Sequence, residues 1–207
     1  MSSLYSRDFI VTLIIVLIPL CLALNADSYG QRIMTLSGIY AIAAMGYHLI
    51  FGRLGALSLA QGCFFGLGAY SAGLIGVHFE LSFLTCLLFA VIFTALVALI
   101  IALPVLRLES HYFALATLGI AQVALLIAIN WTEVTGGANG TYGIPQLDLF
   151  GMELSSSNHV LIFVWIILVI IVSLTFWIMR APFNYQVTLL KDTPEVAASS
   201  GIDIGRW

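Results

Sequence analysis

Charge is what this sequence has least of. Only 8% of its 207 residues are Asp, Glu, Lys or Arg, where soluble domains carry about a quarter. A hydrophobic fraction of 61% and a mean hydropathy of +1.09 exceed what an interior of this size can hide, so lipid must be the main solvent. Imbalance of sign is missing as well. Seven Lys or Arg face ten Asp or Glu, which argues against a nucleic-acid partner recognised by charge. Cysteine is scarce: Cys21, Cys63 and Cys86 lie in apolar runs with neither a Cys-x-x-Cys pair nor Cys/His ligand spacing, and read as inert packing residues with no metal to hold. Catalytic equipment is absent too, with no nucleophile beside a placed base and no ATP-binding loop. An enzyme and a bound cofactor are therefore not expected, and any energy-driven work must draw on another polypeptide.

What is present is a series of long apolar runs. Measured against the roughly 20 residues of a bilayer crossing, they give six candidate helices at about 9–24, 33–51, 56–79, 82–106, 109–130 and 159–179. The expected fold is an all-α, polytopic transmembrane bundle forming one domain over 1–207. The first run is short and follows Arg7 and Asp8, as a signal peptide would, but it lacks a small-x-small cleavage site and five further spans follow, so a retained helix is expected. Pro19 and Pro104 fall near helix ends, where a missing hydrogen bond is tolerated. With a cytoplasmic N-terminus, Arg7, Arg53, Arg107, Arg180, Lys191 and Arg206 fall inside and only Arg32 outside, as the positive-inside rule requires. That topology places the loop 131–158 outside and the segment 180–207, with the C-terminus, in the cytoplasm.

The stretch "GRLGALSLAQGCFFGLGAY", 52–70, stands apart, because its five glycines each weaken a helix by roughly 1 kcal/mol relative to alanine. Ser58, Gly62, Gly66, Ala69, Gly73 and Gly76 recur at spacings of three or four, which predicts a helix face nearly free of side chains. In lipid such a face lets another backbone come close and gain dispersion contacts. Packing leaves Gln61, Tyr70 and Ser71 unexplained, since polar groups at membrane depth need partners or a wet cavity, and a short or broken segment near a pathway is the sharper reading. "TGGANGTYG", 135–143, lacks the Gly-Lys-Ser/Thr ending of a phosphate loop and reads as a compact external loop. His78, His111 and His159 lie near span boundaries; His48 is inside a helix, either as a satisfied interior histidine or as a lining residue.

Three blocks, in order, resemble the permease subunits of the branched-chain amino acid ABC importers. The first is the glycine stretch itself, similar to the family's G-x-x-G, S-L-G, F-F-G-x-G-A-Y run; the second is "LRLESHYFALATLGIAQ", 106–122; the third is "TGGANGTYGIP", similar to the family's T-G-G-x-x-G loop. The chain departs from the pattern at His48, where the family usually has asparagine, and at Glu109–Ser110, where it has Arg-Gly. Family members usually continue through further helices, so the chain looks C-terminally truncated. The resemblance implies a multi-pass protein of the bacterial inner membrane that passes leucine, isoleucine or valine inward. It also implies cytoplasmic ATP-binding subunits, a second homologous permease subunit and an external substrate-binding protein as partners, besides lipid. Gln61, Tyr70, Tyr112, Thr117 and His48 become candidates for polar lining of the substrate route, with hydrogen bonding to its own helix as the alternative for Thr117. In "PEVAASSGIDI", Glu195, Ala197, Ala198 and Gly201 resemble the Glu-Ala-Ala, three residues, Gly pattern of the loop that couples importers to their ATPases, and an ordinary capped surface helix is the alternative. Other readings keep the architecture and change the cargo to urea or a short amide, or make the chain a passive channel or a non-functional fragment.

Overall fold

In hydrocarbon every backbone N–H and C=O must be satisfied within the protein, which leaves helices as the means of crossing for runs such as these. The computed structural model describes residues 12, 16, 18–21, 23–24, 26–79, 81–108, 110–145, 148–149, 152–153 and 156–178. Its long helices are α1 (Ser28–Tyr47), α2 (Gln61–Phe79), α3 (Phe83–Val105), α4 (Ser110–Asn130) and, after a short α5 (Thr132–Thr135), α6 (Ser157–Ile178). Five spans among the described residues are long and apolar enough to cross a membrane. Half of the expected run 9–24 and all of 180–207 lie outside the described residues; those described in the first of these are helical. The result is an all-α polytopic bundle, with one short antiparallel hairpin, β1 (Asp148–Leu149) and β2 (Met152–Glu153), in the loop before α6.

The chain divides into two compact units, one built from the ranges Met1–Gly55 and Ser156–Trp207, the other from Ala56–Ser155. In the first unit α1 packs on α6. The buried residues of α6, Leu161, Val164, Trp165, Leu168, Val172 and Thr175, recur every three or four positions and so form one face of the helix. Leu161, Trp165, Leu168 and Val172 join Ala23 in a core flanked by Met34, Ala41, Ile42 and Met45. Lipid tails are as apolar as leucine, so this seam is held by close packing rather than by escape from water. Gly38 of α1 makes the closeness possible, since a Cβ there would stand 2.8 Å from Val164 Cγ1 and 3.4 Å from Trp165 Nε1.

In the second unit α2 packs chiefly on α3 and also touches α4. Between Phe83 and Val105 the hydropathy of α3 reaches 3.1, yet Leu88, Val91, Ile92, Leu96, Leu99, Ile100 and Leu103 are exposed. Apolar residues on the outside, with Cys86 and Ala90 turned inward, are the arrangement expected of a helix bathed in lipid. Pro104 falls in the last turn of α3, where its missing N–H costs little. Polar side chains in the helices bond to their own backbones: Thr35 donates to Gln31 O, Ser71 to Gly68 O and Thr175 to Ile171 O.

The glycine stretch does not form one continuous helix. After α1 the chain underwinds into a π-helix, His48–Leu54, which ends at Gly55 with φ 71°, and residues 55–60 are not helical. The expected helix from 56 therefore starts five residues later, at Gln61, because left-handed Gly55 turns the backbone out of the helix. Within the π-helix Tyr47 stacks on Phe51 at 5.6 Å, and the His48 ring lies over Gly52, where a Cβ would stand 2.8 Å from Nδ1.

Candidate functional site

The break before α2 is held from across its unit. Ser58 and Ala60 are buried in the non-helical segment, and the N–H of Leu59 donates to Thr117 Oγ1 of α4 at 3.1 Å. Thr117 Oγ1 in turn donates to Ala114 O at 2.9 Å, so one hydroxyl, 4% exposed, satisfies a free backbone amide and its own need for an acceptor. This corrects the placement of Ser58: it precedes α2 instead of continuing that helix's small-residue face, because the helix has not yet begun at Gly55–Ala60.

The small-residue face of α2 has two different halves. At Gly62 and Gly66 no described atom lies within 4 Å of where a Cβ would stand. At Gly73 such a Cβ would meet Ile144 Cδ1 at 3.4 Å, and at Gly76 it would meet Pro145 Cδ at 3.3 Å and Cys86 Sγ at 3.7 Å. The C-terminal half of the face is thus covered by the glycine-rich loop rather than by a helix alone. Beside that contact lies a cavity of about 200 Å³, lined by Ala69, Tyr70, Gly73, Thr141 and Ile144.

The loop that brings Ile144 there is organised by Thr135, which is buried. Its hydroxyl lies 2.7 Å from Ala128 O and 2.8 Å from Trp131 O and accepts from the Gly137 N–H, while its carbonyl accepts from the Thr141 hydroxyl. Gly136 follows in the left-handed region at φ 76°, where a Cβ would collide with the backbone of Gly140. Farther along, Asp148 Oδ1 accepts the Phe83 N–H at 2.8 Å and so caps the first turn of α3.

Of the residues singled out from sequence, the structure brings Tyr70, Ala69 and Gly73 to one cavity. Gln61 opens α2, and Tyr112, 62% exposed, sits on the first turn of α4; neither lines that cavity, nor does Thr117. His48 is exposed in the first unit. Glu195, Ala197, Ala198 and Gly201 lie outside the described residues. Thr135, Ile144, Pro145 and Asp148 were not singled out, although the positive φ at Gly136, Gly137, Gly140 and Gly143 is the structural counterpart of the "TGGANGTYG" spacing that marked the loop. Among the described residues, no group of three or more His, Cys, Asp or Glu could hold a metal ion.

Long apolar helices, with a break at a glycine-rich segment between two of them, define a multi-pass membrane protein. Comparison with known proteins gives the particular kind. The model of the family described as "Branched-chain amino acid transport system / permease component" matches residues 29–207, and the chain belongs to that family. It is 34% identical over 158 residues to the high-affinity branched-chain amino acid transport system permease protein LivM of Salmonella typhimurium strain LT2, covering 76% of this chain and 37% of that one. To the protein of the same name from Escherichia coli strain K12 it is 40% identical over 123 residues, covering 59% of this chain and 29% of that one. The chain thus spans about a third of the length of the curated relatives it matches. No solved structure shows a significant match.

Proposed function

We propose that the chain is the transmembrane part of an ATP-driven importer that carries leucine, isoleucine or valine across the bacterial inner membrane. The observation that carries this reading is the family match over 29–207, which includes the broken segment, the Thr117 clamp and the glycine loop. The chain itself hydrolyses nothing: ATP-binding subunits on the cytoplasmic side supply the energy and an external binding protein delivers substrate. A second, homologous permease subunit completes the path, and the open face at Gly62 and Gly66 is where its helix would find bare backbone. The N-terminus and the segment 180–207 are cytoplasmic and the loop 131–158 external, by the distribution of arginine and lysine. Glu195, Ala197, Ala198 and Gly201 form the surface that meets the ATPase.

Uptake of labelled leucine, valine and urea by membranes carrying this chain with the subunits encoded beside it tests the reading. Leucine and valine uptake that stops on energy depletion supports it. Uptake of urea alone changes the cargo, uptake that survives depletion makes the protein a channel, and no uptake of any of the three overturns transport.

A further inference from the structure

The break before α2 lies inside the membrane, and two measurements within the second unit agree on its depth. Along the seam of α2 and α3, a Cβ at Gly76 would stand 3.7 Å from Cys86 Sγ and one at Gly68 would stand 3.7 Å from Thr94 Oγ1. The two contacts are eight residues apart on either helix, so the register is constant and antiparallel, and it sets Gln61, the first residue of α2, opposite Ile101. From there the apolar span of α3 continues to Val105, about 6 Å further at 1.5 Å per residue. On α4 the bond from Leu59 reaches Thr117, six residues beyond the start of that span at His111 and so about 9 Å along it. Only residues 106–109 join the two helices, so α3 ends and α4 begins on one side, the side bearing Arg107. Seen from that side, the break is sunk by roughly 6–9 Å into a hydrocarbon core of about 30 Å.

We infer that residues 56–60 line a water-filled notch that enters the membrane from the side bearing Arg107 and reaches the level of Thr117. Non-helical backbone at this depth persists only where protein or water satisfies it. Thr117 satisfies one group, the Leu59 N–H; the N–H groups of Ala56, Leu57 and Ser58 have no partner among the described residues. Burial alternates along the segment, with Ser58 and Ala60 turned inward and Leu57 and Leu59 exposed, the pattern of an extended chain with one face on its unit and one face off it. Dry hydrocarbon would leave three adjacent donors unpaired, whereas water offers an acceptor to each of them without needing a matching surface. The break thus replaces a lipid-facing turn of helix with a hydrated edge, which gives a polar solute a wet foothold part of the way across. Water there does not depend on the identity of the cargo, so this test and the uptake test can fail separately.

Cysteine reactivity in membranes that hold the whole complex provides the test. In a chain with Cys21, Cys63 and Cys86 changed to serine, the single replacements Leu57→Cys, Leu59→Cys, Leu88→Cys and Arg107→Cys are treated with a charged methanethiosulfonate, which attacks thiolate and so reacts only where water reaches. Leu57→Cys and Leu59→Cys are expected to react within about tenfold of the rate at Arg107→Cys, and from the same side of the membrane alone. Leu88→Cys, on the lipid-facing surface of α3 and no less exposed, should stay unreactive. Rates at 57 and 59 as low as at 88 overturn the notch, whether lipid or a partner subunit covers the segment; reaction from the opposite side overturns it as well. A second measurement needs neither substitution nor transport. In the parent complex in lipid nanodiscs, the amides of Ala56, Leu57 and Ser58 should exchange with deuterium as fast as those of the loop at 140–143, while those of Leu88 to Leu99 stay protected. Protection at 56–58 equal to that of α3 overturns the notch.

Discussion

Thr117 illustrates how a polar group is kept at membrane depth. It accepts from Leu59 and donates to Ala114, so removing its hydroxyl strands a buried amide in a segment that has no helix to fall back on. Thr117→Val should therefore lower stability by about 1–3 kcal/mol, while Thr117→Ser, which keeps both bonds, should melt near the parent in detergent. Equal melting of Val and Ser variants would count against the clamp. Trp165 behaves in the opposite way. Its indole N–H is buried without a hydrogen-bond partner among the described residues, so its value lies in volume alone. Trp165→Ala is expected to cost about 3–5 kcal/mol and Trp165→Phe less than half of that, and a matching loss for the two in thermal unfolding would point to a bonded N–H instead. At this scale the sequence was only partly legible. The hydroxyl of Thr117 could be seen to have its own helix as a partner, but the bond to Leu59 spans 58 positions and depends on a break that no spacing reveals.

The elements were legible wherever a run was long and apolar. The starts of α3 and α4 and the end of α6 fall within a residue of where hydropathy placed them. At 52–60 the sequence was legible in part: its polar groups pointed to a short or broken segment, but a periodic row of small residues looks the same whether the helix persists or is interrupted, and where the interruption falls is decided by the backbone of Gly55 at φ 71°. Legibility failed in the loop, where composition announces turns without saying on what they will rest. The glycines there are not equivalent. Gly136→Ala drives a methyl group into the Gly140 backbone, whereas Gly143→Ala meets open space and bears only the left-handed penalty of about 1–2 kcal/mol. Protease nicking of the loop in membranes should rise sharply for the first and little for the second. The N-terminal half of the α2 face makes its own prediction. Gly66→Leu should leave the folding of this chain unchanged, because nothing described lies near it, and should reduce recovery of the complex with a second permease subunit. Normal recovery would show that this face meets lipid.

For the whole molecule, the proposed coupling segment offers the most direct test of how the chain is driven. Gly201→Glu, in a protein of the full length of its relatives, should insert normally, fail to retain the ATP-binding subunit on purification and lose uptake; retained ATPase with parental uptake would move the coupling surface elsewhere. A different consequence follows from the pairing of α1 with α6. These helices are neighbours in space but are separated in the chain by residues 48–156, which hold the whole of the second unit. During synthesis at about 5–20 residues per second, α1 waits roughly 5–20 s for its partner to leave the ribosome. Throughout that interval Gly38 and the apolar seam around Met34, Ala41 and Met45 have, apart from Val16, Leu20 and Ala23 ahead of them in the chain, only lipid or a foreign helix to rest on. Every residue of the second unit emerges before α6, so its own contacts can form while α1 still waits, and a chain cut short before 157 is expected to be degraded faster than the whole chain in a pulse-chase measurement.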